Sequence, residues 1–139
     1  MIDLAQVMTS LTEEIAFGDG DPSAVIDRYY TPDIVQYVDG RRLEHTALVD
    51  HVRPARKNLV SFRYDVSEAL VTGDRIAARY TLHAVMRKGR TLDTDVYMFG
   101  ELAGDGRFRR QHMLTRSVTG REEAPTTRDP AGSTGERVT

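Results

Sequence analysis

The chain contains no cysteine, which excludes a disulfide framework, a thiolate nucleophile and any cysteine-held zinc or iron–sulfur centre. It lacks a long hydrophobic run: no stretch approaches the roughly 18 apolar residues of a membrane-crossing helix. The opening Met1-Ile2-Asp3-Leu4 also has neither the basic region nor the continuous apolar core of a secretion signal. These absences lead to the expectation of a cytoplasmic protein without a membrane partner. Nor is there an excess of positive charge. Nineteen basic against 21 acidic side chains leave a formal charge of −2, which is the wrong footprint for nucleic acid. A glycine-rich phosphate loop, a G-x-S-x-G elbow and a dinucleotide fingerprint are all missing, so nucleotide cofactors and serine hydrolysis are disfavoured and no cofactor is expected. No metal is expected either, because His45 and His51 are out of phase for the i, i+4 pairing of a two-histidine site.

What is present suits one domain: 139 residues, 40% of them apolar, can bury a self-sufficient core. Leu4, Val7, Met8, Leu11 and Ile15 recur at helical steps behind Asp3, a potential N-cap, and Gly18 ends the run. Asp21-Pro22 opens a second helix reaching about Tyr30. Thr31-Pro32-Asp33 breaks it, and Ile34 to Val38 reads as a short strand closed by the turn pair Asp39-Gly40. A third helix is predicted over roughly 44–57, with Leu48, Val52 and Ala55 inward and Pro54 expected to kink or shorten it. The period then changes to alternation. Four long strands, Leu59–Val71, Arg75–Arg87, Thr91–Ala103 and Arg107–Val118, are separated by Thr72-Gly73-Asp74, Lys88-Gly89-Arg90 and Gly104-Asp105-Gly106, turns that imply an antiparallel meander. The predicted domain is residues 1–118. Residues 119–139 have almost nothing apolar to bury and are expected to be a disordered tail.

This order resembles the NTF2-like superfamily, and within it the SnoaL-like group of polyketide-cyclase relatives. The resemblance is carried by Tyr29-Tyr30-Thr31-Pro32-Asp33 before the short strand, by Gly73-Asp74-Arg75-Ile76-Ala77-Ala78-Arg79-Tyr80, and by Val96-Tyr97-Met98-Phe99 running through Asp105-Gly106-Arg107. It implies an α+β cone, a curved antiparallel sheet with three N-terminal helices on one face, and a homodimer through the sheet face bearing Arg79, Thr81 and His83. For activity it implies no single answer, since the superfamily holds isomerases, cyclases, dehydratases, epoxide hydrolases and non-catalytic binding or dimerisation modules.

Pocket residues should lie on the helix-facing side of the strands. Ile76, Ala78, Tyr80, Leu82, Ala84 and Met86 form that side of one strand, and Phe62, Tyr64 and Val66 that of its neighbour, where the Glu68 end shifts phase as a bulge would. The next strand divides into Asp93, Asp95, Tyr97, Phe99, Glu101 and Thr94, Val96, Met98, Gly100, Leu102. If the first set faces the pocket, a carboxylate sits beside aromatic rings, where desolvation suits it to proton transfer. The resemblance then implies Asp95, the closest match to the aspartate that serves as acid/base in SnoaL-like cyclases, as the catalytic candidate, with His112 its orienting partner, Tyr97 or Tyr37 the donor to a developing oxyanion, and Tyr30 flanking the same short strand. The alternative for Asp93 and Asp95 is a solvated or subunit-facing surface. Phe62, Tyr64, Tyr80, Met98 and Met113 would shape an apolar cavity. The leading expectation is cofactor-independent acid/base chemistry of the cyclase, isomerase or dehydratase kind on an apolar carbonyl compound such as a polyketide intermediate. A non-catalytic binding or dimerisation module comes second. An epoxide hydrolase built on Asp65, Arg79 and Asp93 or Asp95 comes third, because Asp65 and Arg79 fall on the predicted outer face.

Overall fold

The computed structural model describes residues 2–118, and the expected tail at 119–139 lies outside the described residues. Helix α1 (Leu4–Phe17) begins where the Asp3 carboxylate accepts the Gln6 amide at 3.2 Å. It stops at Gly18, where a Cβ would come within 2.7 Å of the Glu14 carbonyl oxygen. Helix α2 (Pro22–Tyr29) has Pro22 in its first turn and Asp21 accepting the Ala24 amide at 3.1 Å, the arrangement that offsets unsatisfied N–H groups at a helix start. Strand β1 (Tyr30–Val38) turns at Asp39-Gly40 into strand β2 (Arg41–Glu44), and both turn residues have positive φ, 52° and 85°. That is the two-residue hairpin geometry matching strand twist.

Here the structure departs from the sequence reading. The Thr31-Pro32-Asp33 segment does not precede the strand but belongs to it, with Pro32 at an irregularity between Tyr30 and Val35 where no ladder hydrogen bond is required of it. Strand β2 occupies residues 41–43, which the sequence reading leaves between the turn and the helix, together with Glu44, the expected helix start. Helix α3 (His45–Asn58) runs through Pro54 and ends one residue beyond the expected Lys57. Arg56 ties it to α1 and to the loop that follows, donating to the Ile15 and Gly20 carbonyls at 3.0 and 2.8 Å, so a carbonyl left over in the last turn of α1 finds a donor.

Strands β3 (Leu59–Thr72), β4 (Arg75–Met86), β5 (Thr91–Leu102) and β6 (Phe108–Ser117) form the meander. The expected phase shift in β3 is present as a bulge between Val66 and Glu68. One open sheet results, in the order β2-β1-β6-β5-β4-β3, with β1 parallel to β6 and all other pairs antiparallel. Its inner face presents Ile76, Tyr80, Val96, Met98, Leu102 and Phe108 to Leu4, Met8 and Leu11 of α1, Ile26 of α2 and Val52 of α3. Each large apolar side chain buried there contributes about 1.5–3 kcal/mol. No helix among the described residues is long and apolar enough to cross a membrane.

Candidate functional site

The two sides of β5 decide where chemistry can occur. Val96, Met98, Gly100 and Leu102 are buried against the helices, whereas Tyr97 and Phe99 are 55% and 65% exposed on the other side. The strand therefore carries Asp93, Asp95, Tyr97, Phe99 and Glu101 outward, and Asp95 does not face the cone. Its carboxylate accepts from the Thr81 hydroxyl at 2.8 Å and from Arg116 at 2.8 Å, both on neighbouring strands. His112 lies opposite Phe99 on the same outer face and stacks on Tyr37 with ring centroids 4.7 Å apart. Tyr37 in turn accepts from Arg42 at 2.9 Å. The structure thus puts Asp95, Tyr97, His112 and Tyr37 outside the cavity. Aromatic rings at alternate positions signal a core face only when they are buried, and on β5 they cover solvent-side sheet instead. The Asp65, Arg79 and Asp93 or Asp95 grouping is outward too: Asp65 and Asp93 each hold a ring nitrogen of His83 at 2.8 Å, and Arg79 pairs with Glu68.

Between helices and sheet lies a cavity of about 440 Å³. The sheet contributes Tyr30, Tyr64, Tyr80, Leu82, Thr94 and Met113, and α1 contributes Met8, Leu11, Thr12 and Ile15. Helix α3 closes one side with His51, Pro54, Ala55 and Asn58. Of the residues expected to line it, Tyr64, Tyr80 and Met113 do so. Met98 is instead packed into the core below, and Phe62 stacks on Phe17 at 6.1 Å. Sequence reasoning passes over the α3 wall, although positions 51, 54, 55 and 58 follow the i, i+3, i+4, i+7 spacing of one helix face. The polar residues at both ends of that series hide it from a hydrophobicity pattern.

The cavity's polar side chains are three phenols, Tyr30, Tyr64 and Tyr80, with Thr12, His51, Asn58 and Thr94. Tyr64 and Tyr80 meet edge to face with centroids 5.7 Å apart, and the Tyr64 hydroxyl shares a 2.7 Å hydrogen bond with Thr12. Burial pushes all three phenols, Tyr30, Tyr64 and Tyr80, above the ordinary tyrosine value, and each of Tyr30 and Tyr80 is raised further by the nearby Tyr64. They are therefore neutral donors. No carboxylate lines the cavity among the described residues. The Tyr80 hydroxyl, on a side chain only 5% exposed, has no hydrogen-bond partner among them. Buried polar groups are almost always satisfied, so such a group marks a place where a ligand or water completes the bonding.

A second, open depression of about 670 Å³ is lined by Asp27, Asp33, Arg42, Glu44, His45 and Thr46 together with Pro32, Ile34 and Val35. His45 and Asp27 bind each other across it at 2.6 Å, which ties α2 to the start of α3. No group of three or more His, Asp or Glu among the described residues is arranged to hold a metal ion.

Known structures share this architecture. A proposed isomerase from Rhodopseudomonas palustris superposes with a TM-score of 0.64 at 12% identity, over 83% of this chain and 91% of its own. A proposed SnoaL-like polyketide cyclase from Shewanella denitrificans gives 0.60 at 13% identity, over 80% and 88%. IdmH, a proposed polyketide cyclase from Streptomyces antibioticus, gives 0.58 at 16% identity, over 84% and 93%. At such identities the agreement concerns the fold. No curated protein matches the sequence. The profile of the SnoaL-like domain, however, matches residues 11–111. That span runs from the cavity-lining half of α1 to the buried Gln111 on β6, and the chain belongs to the SnoaL-like domain family, within the NTF2-like superfamily.

Proposed function

We propose that the chain binds a small, largely apolar molecule carrying an acceptor oxygen, held in the cone by tyrosine hydroxyls. The observation that supports this most directly is the Tyr80 hydroxyl, buried at the cavity wall with no partner among the described residues. A carbonyl compound fits such a site, since its skeleton would occupy apolar surface and its oxygen would accept the phenol hydrogen. The test uses calorimetry with 9-fluorenone, a flat tricyclic ketone, and with fluorene, the same skeleton without the oxygen. Fluorenone should bind the wild type more tightly than fluorene, and Tyr80→Phe should reduce that advantage. No binding of either compound removes the proposal.

A turnover reading, of the cyclase or isomerase kind, is favoured by one further observation: His51 lines the same cavity. Histidine is the side-chain type best suited to proton exchange near neutrality. His51 would move the proton, and a neutral phenol would stabilise the developing oxyanion. Loss of turnover in His51→Ala with retained fluorenone binding supports this reading. Unchanged turnover eliminates it.

The outer face supports a second proposal, self-association. Leu70, Tyr97, Phe99 and Leu114 form an exposed apolar band. Charges of both signs flank it, Asp65, Asp93 and Asp95 with Arg63, His83 and Arg116 on one side and Glu101 with Arg109 and Arg110 on the other. A two-fold axis through the band would lay the apolar side chains of one copy on those of the other. Sedimentation equilibrium should give a dimer that Phe99→Glu dissociates. A monomeric wild type overturns this assignment.

A further inference from the structure

We propose that Arg90, at the rim of the cavity, takes an anionic end of the cavity's ligand, so that the molecule bound there is an apolar ketone carrying a carboxylate at the end opposite its carbonyl oxygen. This assignment of ligand class rests on the cavity-binding reading given above.

The rungs of the sheet order the cavity by depth. Tyr80 pairs with the buried Val96; towards the opening, Leu82 then pairs with Thr94 and Ala84 with Leu92. The β4–β5 ladder ends with Val85 opposite Thr91, and beyond it the Met86 amide donates to the Arg90 carbonyl at 2.6 Å. Arg90 therefore stands opposite Met86. Leu92 lines the cavity, whereas Thr91 lines a depression on the outer face beside Asp93 and His83. The backbone of Arg90 is extended, with φ −70° and ψ 133°, so alternation returns it to the helix-facing side. On the same rung Met86 and its β3 partner Leu59 both line the cavity. Six residues of strand separate the Tyr80 and Arg90 levels, about 20 Å, of which the two long side chains cover part. A ligand that meets both is elongated, with its ketone at the deep end.

Charge at this rim is unbalanced. The turn between Met86 and Leu92 carries Arg87, Lys88 and Arg90 and no acid, and none of the three forms an ion pair or a side-chain hydrogen bond with a described residue. The outer face is different: Arg63, Arg79, Arg109, Arg110 and Arg116 each hold a carboxylate there. The carboxylates closest along the strands, Asp65 and Asp93, are also outward and hold His83. A guanidinium binds a carboxylate through paired hydrogen bonds in one plane. Asn58, which lines the cavity and directly precedes Leu59, adds an amide donor at the same rim.

The experiment measures, by calorimetry at low salt, binding of 4-acetylbiphenyl and of 4′-acetylbiphenyl-4-carboxylate, which share a ketone at one end and differ in the acid at the other. The wild type should bind the carboxylate about tenfold tighter than the neutral ketone. That ratio should shrink in about 0.5 M sodium chloride, where an exposed ion pair is screened. Arg90→Gln should bring the ratio to about one and Arg90→Glu below one, with affinity for 4-acetylbiphenyl kept. Arg90→Lys, which keeps the charge but loses the planar fork, should fall between. Arg53→Gln removes a cation from α3 outside the cavity-lining series and should leave the ratio at its wild-type value; an equal drop in Arg53→Gln and Arg90→Gln would trace the preference to net charge and overturns the assignment. Wild type that binds both probes alike, or an Arg90→Gln ratio equal to wild type, overturns the inference while leaving the cavity-binding reading standing. Wild type that binds 9-fluorenone but neither biphenyl does the same. Wild type that binds none of the three ketones removes that reading, and the inference with it.

Discussion

The two faces of the sheet are built from the same strands, yet they do opposite things. Inward, β4, β5 and β6 show apolar side chains, buried phenols and two paired glutamines; outward, the same strands carry ion pairs linked across the sheet, such as Arg116 to Asp95 and Arg109 to Glu101. The inner face keeps its few polar groups buried beside a cavity. The outer face has nearly every charge already engaged with a neighbour in the same sheet. Rich titratable chemistry is thus a poor guide to the site here, and scarce polar groups in a closed apolar space are a better one.

The comparison breaks most sharply at two phenylalanines on the neighbouring strands β5 and β6. Phe108→Ala, on the inner face, should cost about 3–5 kcal/mol in urea unfolding. Phe99→Ala, on the outer face, should cost within about 0.5 kcal/mol when measured in dilute protein. Equal losses would mean that the outer face is as tightly packed as the inner. Next in size, Tyr80→Phe should weaken fluorenone binding roughly tenfold with little loss of stability, as expected for a hydroxyl whose partner is the ligand.

The faces should also titrate at opposite ends of the pH scale. Outside, hydrogen bonds from Arg109 to Glu101, from Thr115 to Asp39 and from His83 to Asp65 hold those carboxyls below the ordinary range. Their contribution is present above the usual carboxylate value of about 4 and is lost as pH falls through the lower folded values. Inside, Tyr30 and Tyr80 are raised by burial. Their contribution is present below the usual tyrosine value of about 10 and is lost as pH rises through the higher folded values. Urea melts across pH should show both limbs, and Tyr80→Phe should flatten the alkaline limb only. The smallest effect is expected at Asp95→Asn, which should leave fluorenone affinity within about twofold, because the carboxylate stands on the far side of the sheet.

Much of this was readable from the residues. Helix caps at Asp3 and Asp21, the turn glycines and the inward set on β4 all follow from local chemistry and strand period, and the fold they imply is the one observed. The orientation of β5 was not. Val96, Met98 and Leu102 alternate with Tyr97, Phe99 and Glu101, so both faces offer apolar surface, and only the helices packed across one side decide between them. His51 and Asn58 belong to the cavity through the placement of α3 over the sheet, a long-range contact that carries no local signature. Nor does any local pattern announce that Gln36 on β1 meets Gln111 on β6, from the other end of the chain.

That meeting has a consequence for how the molecule is made. The one parallel pairing among the described residues, β1 with β6, joins side chains 75 positions apart, and the long strands between them form by hairpins. Loop closure over such a distance is slow compared with hairpin formation. On a ribosome, β1 and β2 would wait beside the helices until β6 emerged. The cavity would be the last part of the domain to exist, closed only when the strand bearing Met113 had been synthesised.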